Sequence, residues 1–451
     1  MANRCKAAGD ERRRPRVVIV GAGFAGLEVA RKLDGSECDV LLLDRRNHHL
    51  FQPLLYQVAT AALSPADIAE PIRAILRRQK NVQVLLAEVT DVDLEARRVS
   101  TRDDEIAYDW LVLAAGAVNA YFGNEQWSRR APGLKSIDDA IEIRRRVLMA
   151  FEEAELEDDE EARRAKLTFV VIGGGPTGVE MAGALREIAA MTIPQDFRRV
   201  DTTTARVYLL EGGPRLLPTM SEHASRKAKE QLEGLGVEVR LDTMVTNVDE
   251  HRVWVGDDSV PAANVVWAAG VRGSPLAESV DHVALDDQGR IRVEPDCSIP
   301  GHPGVFVVGD LAAQTDAETG EPVPGVAQGA IQMGAFVGDI IRRELAGELG
   351  QGDRPAFTYD DKGEMATIGR ARAVADISGR SFSGWFAWLL WSVVHVTFLV
   401  GFRNKLLVMI HWAWQWVIQS RGARLITGPS MPTKDAWASG LEAGSEAERR
   451  S

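Results

Sequence analysis

The chain has 451 residues, too many for one ordinary core and enough for two or three domains. Its net charge of −12 argues against nucleic acid as a partner, because a phosphate backbone is bound by clustered Lys and Arg and the body of the chain lacks such a stripe. Its three cysteines, Cys5, Cys38 and Cys297, are far apart in sequence, which excludes a CxxC or CxxxxC redox pair and suits a reducing compartment.

Residues 16–20 (RVVIV) predict a strand, GAGFAG at 21–26 a glycine turn, LEVARKL a helix and 39–44 (DVLLLD) the next strand, together a βαβ unit. Arg12, Arg13 and Arg14 precede it, but the apolar stretch carries glycines at dinucleotide-loop spacing, so a strand is expected there and no targeting peptide. Residues 46–63 read as a loop, LVLAAGA at 111–117 as a strand, and 136–166 as one long charged helix with a solvated face. A second unit follows: the strand LTFVVI, GGGPTG at 173–178, the helix VEMAGALREI, and RVYLLE ending at Glu211. NVVWAAGV at 264–271 and GVFVVGD at 304–310 predict two more strands, and a helix is expected near 328–346. The second unit therefore interrupts the first.

Each glycine turn suits a dinucleotide pyrophosphate. The first glycine permits the tight turn, the second lets backbone N–H groups approach the phosphates, and the third seats the helix on the strand. Gly21, Gly23 and Gly26 meet this pattern, as do Gly173, Gly175 and Gly178, and each loop follows a strand and opens a helix. Asp44 and Glu211 end the next strand of each unit, where a carboxylate accepts ribose hydroxyls. Glu211 would repel a 2′-phosphate, which favours NADH over NADPH, although Arg215 lies four residues on. Asp310 suits a flavin ribityl chain and assigns FAD to the first unit; a helix-capping Asp is the plainer alternative. Gly116 and Gly270 close the two AAG strands and join the cofactor-binding set.

The stretch DRRNHHLFQPLLYQVATAAL at 44–63, GGGPTGVEMAGAL, WAAGV, VFVVGDLA, AQGAIQ at 327–332 and DKGEMATIGRARAVA at 361–375 resemble the two-dinucleotide flavoprotein reductases, most closely the type II NADH dehydrogenases. The resemblance covers roughly residues 15–425. It implies FAD, NADH and a membrane quinone, with hydride passing from NADH to flavin and two electrons from flavin to quinone, without proton pumping. It implies that Gln328 lies beside the flavin ring where quinone docks, that Glu180 helps relay protons, and that residues around Gln52–Tyr56 line the flavin. Read from the residues alone, Glu180 is an acid in the first turn of a helix and Gln328 a helix-start residue. No EF-hand spacing is present, so no metal is expected. The missing cysteine pair removes the disulfide reductases and the sulfide-oxidising quinone reductases.

Between Asp376 and Asp435 the chain has no acidic residue, and six of its 11 tryptophans (Trp385, Trp388, Trp391, Trp412, Trp414, Trp416) fall in 385–416. Gly384 to Phe402 is a stretch of 19 residues without a formal charge, followed by Arg403, Lys405 and the apolar run 406–418, with Arg380, Arg421 and Arg424 flanking. Two amphipathic helices lying in one leaflet fit this pattern best; a single transmembrane span and a buried dimer interface are the alternatives.

The expected architecture is α/β: two Rossmann-type dinucleotide-binding domains, the NADH domain inserted in the FAD domain, plus a C-terminal helical membrane-anchoring segment. The FAD-binding domain takes 15–135 and 272–375, the NADH-binding domain 136–271, the amphipathic anchor 376–427 and a disordered tail 428–451. The expected partners are NADH, a membrane quinone and the bilayer surface at the cytoplasmic face of the cell inner membrane, with a second copy of the chain as a further candidate. Two other readings compete: a soluble NADH-dependent reductase of an iron–sulfur carrier, and an NAD(H)-sensing flavoprotein like the apoptosis-inducing-factor group.

Overall fold

Val17–Val20 are buried on every side, as apolar runs are in a parallel sheet covered on both faces. The computed structural model describes residues 13–418 and 423–427, so the expected tail at 428–451 and Arg421 lie outside it, as do the side chains of Trp414 and Trp416. In chain order, β1 (Arg16–Val20) leads through α1 (Phe24–Lys32) to β2 (Asp39–Asp44). The segment 46–63, expected as a loop, is folded: a strand at His48–Leu50, a 3-10 turn at Gln52–Leu54 and α2 (Leu55–Ala59). Leu54, Leu55, Val58 and Ala59 are buried there, so tertiary packing supplies what a short irregular pattern does not announce.

Next come β3 (Val82–Leu86), β4 (Trp110–Leu113) and β5 (Ala117–Asn119). The charged stretch 136–166 is two helices, α3 (Ile137–Leu156) and α4 (Glu160–Lys166). Its interruption is a capping event: the Asp159 carboxylate accepts the Ala162 N–H at 2.7 Å and starts a new helix. The inserted unit is β6 (Thr168–Ile172), α5 (Pro176–Glu187), β7 (Arg206–Leu210), β8 (Val237–Arg240) and β9 (Asn264–Trp267). The chain returns through β10 (Val271–Gly273), β11 (Ser298–Ile299), β12 (His302–Val307) and α6 (Ala327–Leu345). It ends with β13 (Glu364–Gly369), β14 (Arg372–Ile377), β15 (Arg380–Ser383), α7 (Trp385–Phe398) and α8 (Phe402–Ile418).

The first sheet has the order β11-β12-β4-β1-β2-β3, and only β11 runs antiparallel. The second is all parallel, in the order β8-β7-β6-β9. Strands of the first sheet lie on both sides of the second in sequence, so one doubly wound unit is inserted in the other, as expected. The two passages between them, β5 and β10, pair antiparallel from Ala117↔Gly273 to Asn119↔Val271. β13-β14-β15 form a separate antiparallel sheet, and α5 packs so closely on it that a Cβ at Gly183 would collide with the Ile368 carbonyl oxygen. Among the described residues no helix is long and apolar enough to cross a membrane.

Candidate functional site

The two glycine loops are built alike. Gly21 and Gly173 turn the chain at φ +101° and +109°, the left-handed region that favours glycine. A Cβ at Gly26 or Gly178 would collide with the carbonyl oxygen of Gly21 or Gly173, so each helix seats directly on its own turn. Gly23 and Gly175 differ: a Cβ there meets nothing within 4 Å. The protein's own packing does not require glycine at those two positions, and the absence of a side chain leaves the backbone there open to close approach. Asp44 accepts the N–H groups of Ala22 and Arg46, both at 2.7 Å, and Glu211 accepts those of Gly174 and Gly213. The carboxylates thus brace the loops from the end of the next strand.

A cavity of about 630 Å³ lies along the first loop, within the usual range for a cofactor site. Gly21, Gly23, Asp44, Gln52, Gly116 and Asp310 all line it, which gathers the sequence-derived FAD set in one place; Gly26 lies beneath, as the helix seat. Asp310 sits in a 3-10 turn (Gly309–Leu311), and α6 begins at Ala327, close to the expected 328–346. Two histidines that sequence reasoning quoted without a role belong here. His49 is buried and its Nδ1–H donates to the Ala22 carbonyl at 3.0 Å, holding the loop from behind. His48 lines the cavity, with Nε2 buried and without a hydrogen-bond partner, and burial lowers its pKa. An orphaned ring nitrogen in a wall of this size fits a polar ligand such as FAD.

A second cavity, of about 130 Å³, contains Glu180. Its wall is drawn from α2 (Tyr56, Gln57), α5 (Glu180, Ala184, Glu187), β13 and its following turn (Thr367–Arg370), and the two C-terminal helices (Trp388, Trp391, Trp412). Glu180 is 9% exposed, and the Thr367 N–H is its hydrogen-bond donor, at 3.4 Å. Burial, opposed only by that bond, raises its carboxyl well above the ordinary range and favours the neutral acid. The expected flavin-lining segment Gln52–Tyr56 therefore divides: Gln52 faces the first cavity and Tyr56 the second. Gln328, in the first turn of α6, is in neither wall. Its Nε2 donates to the Gly363 carbonyl at 3.5 Å, and its Oε1 is buried and unpartnered. Gln328 thus holds the turn just before β13, at Gly363, and Glu180 holds β13 itself, at Thr367.

On the second unit, Gly270 follows β9, and a Cβ there would come 2.8 Å from the ring of Phe122, an exposed aromatic at φ +52°. Trp267 donates Nε1–H to the Ala120 carbonyl at 2.8 Å, which ties this strand end to the passage between the units. Cys38 and Cys297 are buried in the first unit's core, where burial pushes the Cys38 thiol up to about 11 and the Cys297 thiol up as well. Neither lines either cavity.

The family model described as pyridine nucleotide-disulphide oxidoreductase matches residues 15–334, and that described as the NDH2 C-terminal domain matches 362–421. The type II NADH:quinone oxidoreductase Ndh of Mycobacterium tuberculosis is 48% identical over 427 residues, covering 92% of this chain and 91% of the relative. The type II NADH:quinone oxidoreductase of Staphylococcus aureus is 32% identical over 82% of this chain and 92% of its own. The solved structure of NDH2 from Plasmodium falciparum in complex with NADH superposes with a TM-score of 0.83 at 21% identity, covering 92% of this chain and all of that one. A sulfide:quinone oxidoreductase from Aquifex aeolicus shares the fold at a TM-score of 0.70. With two dinucleotide loops, an FAD-sized cavity, no paired cysteines and relatives matched almost end to end, the chain belongs to the type II NADH:quinone oxidoreductases, flavoenzymes that use NADH.

Proposed function

We propose that the two cavities divide the family's reaction between them, the first holding FAD and the second admitting the quinone beside Glu180. When bound, FAD supplies the hydride acceptor for NADH and the two-electron donor for the quinone. In the first cavity, the loop at Gly21–Gly26 and the N-terminus of α1 take the pyrophosphate, Asp44 the ribose and Asp310 the ribityl chain. On the inserted unit, Gly173, Gly175 and Gly178 take the NADH pyrophosphate, Glu211 the adenosine ribose, and Gly270 closes the same site. Gln328 sits where the positive end of α6 favours negative charge. The domain division of the sequence analysis follows: FAD on 15–135 and 272–375, NADH on 136–271, and an anchor on 376–427.

One observation carries the quinone reading: a buried carboxyl, Glu180, faces a cavity whose outer wall is made by tryptophans of the C-terminal helices. Quinone reduction needs protons as well as electrons, and an acid kept neutral by burial can donate one. The same helices expose Trp385, Phe386, Val393, Phe398, Met409 and Ile410, an aromatic and aliphatic surface on an acid-free segment that suits a bilayer interface better than a second copy of the chain. A quinone dissolved in the membrane, approached from the cytoplasmic face, would enter between them. Half-reactions test the assignment. Glu180→Gln and Gln328→Ala should slow quinone reduction by about a hundredfold while leaving NADH-driven flavin bleaching near the parent rate. Equal slowing of both half-reactions would sink the assigned roles.

A further inference from the structure

Glu180 is enclosed, so a proton it gives to a quinone oxygen must be replaced through the protein. The cavity offers one other carboxyl. On α5, Glu180, Ala184 and Glu187 are spaced by four and three residues, so all three face the same wall. Glu187 is half-buried, about 10 Å further along the helix axis. The cavity they both line has about 130 Å³ of space in all, against the 10–15 Å³ or so that one water needs, and the hydroxyls of Thr60, Thr192 and Thr367, each donating to a carbonyl, keep oxygen lone pairs for water along it.

The surroundings of Glu187 are specific. The Arg370 N–H donates to its Oε1, and residue 369 is glycine, where a Cβ would come 2.7 Å from that same oxygen. The helix then passes into a π-turn at Ile188–Thr192, a distortion that recurs at functional sites. The titratable or charged side chains on the wall are Tyr56, Glu180, Glu187 and Arg370. Neighbouring charges on the packed elements are engaged elsewhere: Arg186 donates to the Thr203, Ala205 and Leu235 carbonyls, Arg372 to the Gln231 carbonyl, and Glu364 accepts the Thr219 hydroxyl.

We propose that Glu187 is the proton-entry residue of the quinone cavity, taking protons from bulk water and relaying them across bridging waters to Glu180. This rests on the reading of Glu180 as the donor. Per turnover, NADH oxidation supplies two electrons. For a proton delivered by this route, the Glu180 O–H bond breaks as a quinone O–H bond forms, the Glu180 carboxylate regains a proton from water, and Glu187 restores that water from solvent.

The full-length, FAD-loaded enzyme is assayed with NADH and a water-soluble quinone across pH, and each half-reaction is followed by stopped flow. Glu187→Gln should lower the quinone half-reaction on the order of tenfold in mildly alkaline buffer, recover toward the parent rate in acid, and leave flavin reduction by NADH unchanged. Glu187→Asp should retain most of the rate, and imidazole buffer should restore Glu187→Ala in part. A Glu187→Gln enzyme with the parent rate and pH profile overturns the proposal, as does one slowed equally in both half-reactions at every pH. If Glu180→Gln blocks quinone reduction while Glu187→Gln does not, the entry route is wrong and the Glu180 reading stands. If Glu180→Gln is itself without effect, both fall.

Discussion

Glu180 combines two demands. Burial keeps its carboxyl protonated, which suits an acid, and the same burial makes the charged form unfavourable in the folded chain. Its folded pKa lies above the unfolded value of about 4.3, so the folded state holds a proton that the unfolded state has released. Stability from this group is therefore fully present below the unfolded pKa and is lost as pH rises toward the folded one. Glu180→Gln removes the ionisation, and its melting temperature should fall less between weakly acidic and alkaline pH than the parent's; an unchanged difference would show that Glu180 is not titrating in that window. Glu211 is a second residue with a direct test. Its oxygens brace Gly174 and Gly213, and with the proposed NADH ribose beside it a 2′-phosphate would meet like charge. Glu211→Ala should raise NADPH use relative to NADH by at least about tenfold in kcat/KM; a retained preference would place discrimination elsewhere. The glycines and acids of both loops were legible because their spacing encodes a backbone shape. His48 and His49 were not, since a histidine pair has no period and its meaning depends on which nitrogen is buried and against what. The place of Gln328 outside both cavity walls was equally hidden, because motif position does not report where a side chain turns.

At the scale of elements, long apolar runs were read correctly and mixed ones were not. Seven of the nine parallel strands in the two sheets follow from buried Val, Ile and Leu runs; β3 and β8, at the sheet edges, carry mixed sequences and do not. The folded segment 48–59 carries its apolar residues in three short pieces, each below the length at which periodicity separates helix from loop. The break at 157–159 in the charged helix was hidden by composition, because an Asp in an acidic run does not stand out as a cap. The two C-terminal helices were anticipated, and the structure adds an inner polar face to α8. Asn404 donates to Glu70, Trp412 donates to Gln57 at 2.8 Å, and His411 lies 3.4 Å from the Asp67 carboxylate. Trp391 is buried in the core between α7 and its neighbours, so deleting the segment would open the fold itself. A cleaner test of the bilayer contact uses only exposed positions. Phe386→Glu, Val393→Glu and Ile410→Glu combined should move the protein from the membrane pellet to the supernatant, while turnover of a water-soluble quinone persists; a protein that stays in the pellet would place the contact elsewhere.

For the whole molecule, the order of motifs gave the insertion: a glycine unit, an AAG strand, a second glycine unit, a second AAG strand and a VVGD strand alternate in a way that only nesting explains. The register of the two sheets and the third sheet of β13-β14-β15 were not accessible, since pairing between distant strands is settled by tertiary contacts. The ribbon of β5 and β10 has a consequence for how such a chain can be assembled. The inserted unit leaves and re-enters its host at neighbouring positions, the Ala120 N–H donating to the Gly270 carbonyl at 3.1 Å. Its two ends are thus already stitched together, and the host presents a gap no wider than a hairpin turn. In genetic terms, adjacent ends of this kind make a join at which one unit is inserted into another without stretching either.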